Sequence, residues 1–366
     1  MRANIFLVIS LLPFSILNQS KLRATAFVLF LCTKRQLSLP PMAHSPTEVA
    51  PLVEINSETW SESLSDIAAA HKKDPELMEQ RAIIGKNVVK ALQSSGFLLV
   101  ESDLIHEQFL KEANQDARTW LLQTSGKDDG FVTAHPTDPK TYVMLEASHY
   151  QQAKAKRGDS NTCNIPKEFT PTLQKYWETC EQLKSCILRA IGVGLELEHP
   201  EDLVDWHSRA QNSAMRLLYY PPASAQTGNR CKEHSDYGSL TLLNTDDVSG
   251  LEILLEGKWW PVPHVPGTIV VNIGSLLSDW TDQQLLATLH RVAGPASEHS
   301  SSDPKNLLKA VSRGRTSIAF FVDPDEGAPI LRGGTIKEYI TWRSGGDGPQ
   351  RSGVAFASNE QERVKK

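Results

Sequence analysis

The chain has 366 residues, 40% of them hydrophobic, with 38 Lys and Arg against 43 Asp and Glu and a formal net charge of −5. Charges of both signs without a long basic run argue against the electrostatic footprint that nucleic acid requires. The five cysteines (Cys32, Cys163, Cys180, Cys186 and Cys231) are odd in number and lack a C-x-x-C pair, which argues against a disulfide framework and for a reducing compartment.

Residues 1–45 differ in composition from the rest: two apolar runs, 5–12 and 27–31, flank Lys21 and Arg23, and no acidic residue precedes Glu48. Such a segment is expected to be a cleaved targeting sequence or the product of an upstream start, with the protein proper beginning at Met42. Each run is shorter than the roughly 20 residues that cross a bilayer, so no stable membrane span is expected. A cytoplasmic protein follows, or a plastid or other organellar one if the leader is a true presequence.

The folded part opens with a short strand at 51–55. Asp74 and Pro75 supply a cap and a first-turn proline for a helix whose stripe is Ile84, Val88, Ala91 and Leu92, and Gly96 ends it. A strand at 97–100 precedes an amphipathic helix at 104–122, in which Phe109, Leu110, Ala113, Ala117, Trp120 and Leu121 recur at three and four residues. Periodicity is lost over 124–167, which reads as a long loop. A second long helix starts at Thr170 and Pro171, with Leu173, Trp177, Cys180, Leu183, Ile187 and Ile191 on one side, and stops near Gly192 and Gly194. Residues 46–200 are thus a helical N-terminal region.

Beyond Trp206 the period changes from 3.6 to short strands: 214–220, 239–244, 251–255, 259–262, 268–273, 287–293 and 316–322. Short strands at regular spacing, punctuated by Pro and Gly, predict a jelly roll over 201–345. The fold class is therefore mostly β with flanking helices (α+β), a jelly-roll core buttressed by the N-terminal helices. A helix at 279–286, an insertion loop at 294–314, a helix at 336–343 and a disordered tail at 346–366 complete the prediction.

Three stretches carry chemistry. His234 and Asp236, two apart in an extended chain, present an imidazole and a carboxylate to the same side. That spacing is common by chance, so a third ligand is needed, and His290 lies in another strand-like run. Two His and one carboxylate with open positions suit non-haem Fe(II). Arg315 and Ser317 share one side of a strand too apolar to bury an unpaired charge, and together they form a carboxylate receptor. His264 and His299 lie in turn and loop contexts and read as surface histidines.

In order, His234-x-Asp236, His290 and Arg315-x-Ser317 resemble the 2-oxoglutarate- and Fe(II)-dependent dioxygenases, in the isopenicillin N synthase-like branch, over about residues 50 to 345. Matching pieces include Gly96 to Val100, Tyr219-Tyr220-Pro221-Pro222 and Val271-Asn272-Ile273-Gly274. Two departures are Leu218, where the family often has Asn before Tyr-Tyr-Pro, and a long interval from His290 to Arg315. The resemblance implies a double-stranded β-helix core, iron held by His234, Asp236 and His290, and 2-oxoglutarate chelating it with its distal carboxylate on Arg315 and Ser317, helped by Tyr220. It also implies a monomer that uses O2, with ascorbate as a stimulant, and hydroxylates a small molecule while 2-oxoglutarate becomes succinate. One alternative is an oxidase of the same branch that uses no 2-oxoglutarate, Arg315 gripping the substrate's own carboxylate. A zinc hydrolase leaves Arg315 and Ser317 unexplained, and a non-catalytic binding protein need not keep all three ligands.

Overall fold

The computed structural model describes residues 49–60, 75–123, 131–156, 166–209, 212–222, 228–295, 304–328, 336 and 338–339. The leader at 1–45, the tail at 346–366, His299 and most of the helix expected at 336–343 lie outside these residues.

The helical part comprises α1 (Ser57–Trp60), α2 (Pro75–Ser94), α3 (Glu107–Gln123), α4 (Ala147–Lys156), α5 (Pro171–Gly194) and α6 (Asp202–Asp205). Helix α5 begins as its sequence demands, with the Thr170 hydroxyl accepting from the Leu173 amide at 3.2 Å and Pro171 in the first turn. Its predicted stripe from Leu173 to Ile191 is buried throughout. Helices α2 and α5 approach to backbone contact where Gly85 and Gly194 meet, and a Cβ on Gly194 would lie 2.0 Å from the Gly85 carbonyl oxygen.

Twelve strands form two sheets among the described residues. The larger contains β1 (Leu52–Glu54), β2 (Phe97–Glu101), β3 (Val132–Ala134), β4 (Thr141–Glu146), β5 (Ala214–Tyr220), β7 (Leu240–Thr245), β10 (Ile269–Ile273) and β12 (Arg315–Val322), in the order β1-β2-β10-β7-β12-β5-β4-β3. The smaller contains β6 (Cys231–His234), β8 (Leu251–Leu255), β9 (Lys258–Pro261) and β11 (His290–Val292), in the order β6-β11-β8-β9. From β5 onward the chain alternates between the sheets, with only the β8-β9 hairpin staying in one, and this winding is the expected jelly roll. The central strands of the larger sheet are buried on both faces, which is why they read as continuous apolar runs. Leu98, Leu217, Leu242, Val271, Ile318 and Phe320 pack in the core shared with the helices. Phe97, Leu99 and Val270 meet Leu251, Ile253 and Leu255 of the smaller sheet, while Leu218, Tyr220 and Ala319 meet Cys231 and Val292.

Four expectations are corrected. The loop expected at 124–167 contains β3, β4 and α4, and β4 pairs along its whole length with β5, from Thr141 opposite Tyr219 to Glu146 opposite Ala214. Cross-strand partners far away in sequence decide that segment, whose own pattern is weak. The helix expected at 279–286 is instead α7 (Ser275–Trp280), stopped where Asp282 and Gln283 take positive φ values of 49° and 61°. The strand expected at 287–293 shrinks to β11. Within the loop expected at 294–314 lies α8 (Pro304–Ser312). No helix among the described residues is long and apolar enough to cross a membrane.

Candidate active site

His234 closes β6 and stands directly opposite His290 on β11, so the pairing of these two strands brings both imidazoles to one place. Their ring centroids are 4.3 Å apart. Asp236 follows β6, and its Oδ1 lies 3.7 Å from Nε2 of His234 and 3.7 Å from Nε2 of His290. The three ligand atoms all lie within 4.8 Å of one another and converge on one point where a single cation could be held.

The remaining polar atoms of the triad are committed elsewhere. Nδ1 of His234 donates to the Lys232 carbonyl at 2.8 Å and Nδ1 of His290 to the Thr288 carbonyl at 3.2 Å, which directs the lone pair of each Nε2 inward. Oδ2 of Asp236 accepts from the Thr241 hydroxyl at 2.5 Å and from the Asn272 amide at 2.8 Å, leaving Oδ1 for a metal. Burial alone would raise the Asp236 carboxyl, but both histidines and these two hydrogen bonds hold it below its usual range. Burial also keeps the His290 imidazole below its ordinary value, hence neutral at pH 7. His234 differs: burial opposes its protonation, yet a hydrogen bond with Cys231 and the Asp236 carboxylate raise it to about 9. Metal entry there must displace a proton.

On the opposing strands of the larger sheet, Arg315 pairs in register with Tyr220 at the start of β12. Arg315 is 2% exposed, its Nη1 donates to the Ser317 hydroxyl at 3.1 Å, and its guanidinium lies 5.4 Å from the Tyr220 ring centroid. Its Nε is buried without a partner among the described residues. Gly314 sets the approach: its φ of 75° and the Tyr220 carbonyl oxygen, 2.4 Å from where a Cβ would sit, leave room for no side chain. Burial pushes the Tyr220 hydroxyl up to about 12, so it is a standing donor. His234, Asp236, His290, Tyr220, Arg315 and Ser317 line one cavity of about 80 Å³ between the sheets. His264 is elsewhere, with its Nδ1 3.3 Å from the Thr245 hydroxyl.

Residues 211–324 match the model of the 2OG-Fe(II) oxygenase superfamily. That stretch resembles the superfamily's domain and holds Tyr220, His234, Asp236, His290, Arg315 and Ser317. The chain is 35% identical over 166 residues to the 2-oxoglutarate-dependent dioxygenase htyE of Aspergillus rugulosus, covering 43% of this chain and 47% of that protein. It is 27% identical over 266 residues to the homoarginine-6-hydroxylase 2-ODD-C23 of Glycine max, covering 64% of this chain and 80% of the relative. For htyE and similar relatives, the chain spans about half their length. In fold, a full-length Neurospora crassa protein whose crystal structure holds alpha-KG and 5-formyluracil matches 83% of this chain and 99% of its own, with a TM-score of 0.61 at 20% identity.

The donor set fits the superfamily's metal and co-substrate. Two neutral-capable imidazoles and one carboxylate are the ligands that non-haem Fe(II) takes with positions left open. The buried, partnerless Arg315 Nε beside a hydroxyl is what a carboxylate fills. In this chain Leu218, the departure from Asn, packs in the apolar cluster with Cys231, Val292 and Ala319. Sequence reasoning missed Arg230, which is 1% exposed, has an orphaned Nη1 and lies 5.9 Å from the Tyr220 ring. Burial and the Arg315 charge pull it down to about 10. It also missed the roles of Thr241 and Asn272, although a buried Asn inside the otherwise apolar run Ile269–Ile273 was a visible signal.

Proposed function

We propose that this chain is a non-haem Fe(II)- and 2-oxoglutarate-dependent oxygenase that hydroxylates a small molecule. The observation that carries the reading is one cavity with two complementary ends. At one end Asp236 offers Oδ1 to the two Nε2 atoms, and at the other the guanidinium of Arg315 lacks an acceptor on Nε. His234, Asp236 and His290 would hold the iron, and Arg315 with Ser317 the distal carboxylate of 2-oxoglutarate. Bound Fe(II) with 2-oxoglutarate supplies the activation of O2 that oxidises the substrate as the 2-oxo acid is decarboxylated to succinate.

The protein's share is to bind, orient and exclude water. Thr241 and Asn272 hold the Asp236 carboxylate in one rotation. Phe97 packs edge-on against His290 with centroids 5.5 Å apart, fixing the ring from the apolar side. Leu218, Leu243, Leu251 and Val292 line the cavity walls and keep it dry. The dioxygenase and homoarginine-6-hydroxylase relatives support hydroxylation as the outcome. The test is anaerobic Fe(II) titration, expected to give one iron per chain, followed by succinate formation from 2-oxoglutarate with Fe(II), ascorbate and O2. If iron binds and 2-oxoglutarate does not, the oxidase reading with Arg315 on a substrate carboxylate replaces this one.

A further inference from the structure

The cavity opens past His234 into a wider cleft of about 440 Å³. Its walls carry two charges that nothing so far employs. Arg216 on β5 stands opposite Ala319 of β12, and it lines both the cavity and the cleft with Leu218, Tyr220 and Phe321 as neighbours on its own or the adjoining strand. Its guanidinium is held between two aromatic rings, 5.2 Å from the centroid of Tyr142 and 5.2 Å from that of Phe321. These contacts hold the plane still without using its hydrogen-bond donors. Among the described residues it has no acceptor and no ion pair, and its Nε is buried and orphaned. Asp138, an acid that lines the same cleft, is taken: it pairs with Lys140 at 3.0 Å, and Lys140 also donates to Cys231 at 2.9 Å.

The second charge is Asp323. It follows Phe321 by two residues, so it continues the same face of the strand, and it lines the cleft. Its carboxylate lies against Gly238, where a Cβ would sit 1.8 Å from Oδ1. No hydrogen-bond donor or cation among the described residues meets it, and burial together with the Asp236 carboxylate pushes its carboxyl up to about 7, so that a bound cation would draw it into its ionised form. Arg216 and Asp323 do not pair with each other: from Ala319, the register partner of Arg216, to Asp323 is about 13 Å of strand at roughly 3.3 Å per residue. One cleft therefore presents a fixed guanidinium and, apart from it, a buried carboxyl group that a cation would ionise, neither with a counter-charge among the described residues. A neutral or lipid-like ligand would desolvate both without compensation.

We propose that the oxidised substrate is a zwitterionic small molecule of the amino-acid class, its carboxylate received by Arg216 and its cationic nitrogen by Asp323. This rests on the oxygenase reading above and adds the substrate class to it. Arg216 serves the substrate and Arg315 the co-substrate, so the two carboxylates have separate receptors.

The experiment has two stages, so that failure of one reading is not mistaken for failure of the other. Anaerobic calorimetry of the full chain with Fe(II) and 2-oxoglutarate comes first, and absence of 2-oxoglutarate binding there sinks the oxygenase reading itself. The loaded protein is then titrated with the twenty proteinogenic L-amino acids, L-homoarginine and L-ornithine. For each that binds, its decarboxylated amine and its deaminated acid follow. At least one amino acid is expected to bind, with both truncated analogues at least tenfold weaker. Arg216→Met should erase the preference over the amine while keeping that over the acid, and Asp323→Asn should do the reverse. If Arg216→Met no longer folds, Arg216→Lys, which keeps the charge and loses the fork, should show a partial loss. The proposal is overturned if the loaded protein binds none of the amino acids, if the truncated analogues bind as well as the parent, or if the variants discriminate as wild type does.

Discussion

Replacing Arg315 with Lys keeps the charge but removes the planar fork, and the consequences follow from its surroundings. The guanidinium is 2% exposed and gives one donor to Ser317 at 3.1 Å, with Nε held in reserve. A lysine ammonium at that depth presents a point charge and cannot serve Ser317 and both oxygens of a carboxylate in one plane. Loss of one charge-assisted hydrogen bond is worth about 1.5–3 kcal/mol, or roughly ten- to hundredfold in Kd for 2-oxoglutarate at about 1.4 kcal/mol per decade. Anaerobic calorimetry with Fe(II) present reads this directly. Arg315→Met should abolish binding while leaving the ligand-free protein no less stable, because a buried cation without a hydrogen-bonded acid is a poor source of stability. If Arg315→Lys binds 2-oxoglutarate within twofold of wild type, the receptor is misassigned. Arg230, with its orphaned Nη1 beside the same tyrosine, then becomes the candidate. Arg313 does not, since Asp247 already engages it.

Asp236→Ala should eliminate stoichiometric Fe(II) binding with the fold intact, checked by anaerobic titration beside circular dichroism; an unchanged iron stoichiometry would place the metal elsewhere. Asn272→Ala frees one side of the same carboxylate and should weaken iron affinity about 10- to 100-fold, the usual effect of removing a group that orients a ligand. Burial lowers His207 to about 3, against about 6.5 in an unfolded chain. The unfolded state therefore takes up the proton first, and the stability this residue contributes is complete above pH 6.5 and lost as pH falls toward 3. The loss at pH 5 is about 2 kcal/mol, and urea unfolding at pH 8 and pH 5 should show a smaller difference in His207→Gln than in wild type. Gly314→Ala should destabilise by about 2 kcal/mol or more, from a left-handed φ and a collision with the Tyr220 carbonyl, and an unchanged urea midpoint would contradict it.

The helices at 75–94 and 171–194 were legible because their caps, prolines and apolar stripes are local signals, and local signals survive in one dimension. His234, His290, Arg315 and Ser317 were legible because each sits in a short strand whose alternation places it, Asp236 because it follows His234 by two in extended chain, and the receptor because an Arg entering an apolar run asks for an anion. Other features depended on pairing. The strand at 141–146 exists because seven residues of β5 await a partner on that edge, and its own composition does not announce it. The opposition of His234 and His290 is a register between strands far apart in the chain, which no spacing encodes. Thr241 and Asn272 meet at Asp236 only when β7 and β10 lie side by side. The same is true of the cleft: Arg216 reads as an ordinary strand arginine and Asp323 as the acid of a turn. Only the fold reveals that both face one space and that neither has a counter-ion there among the described residues.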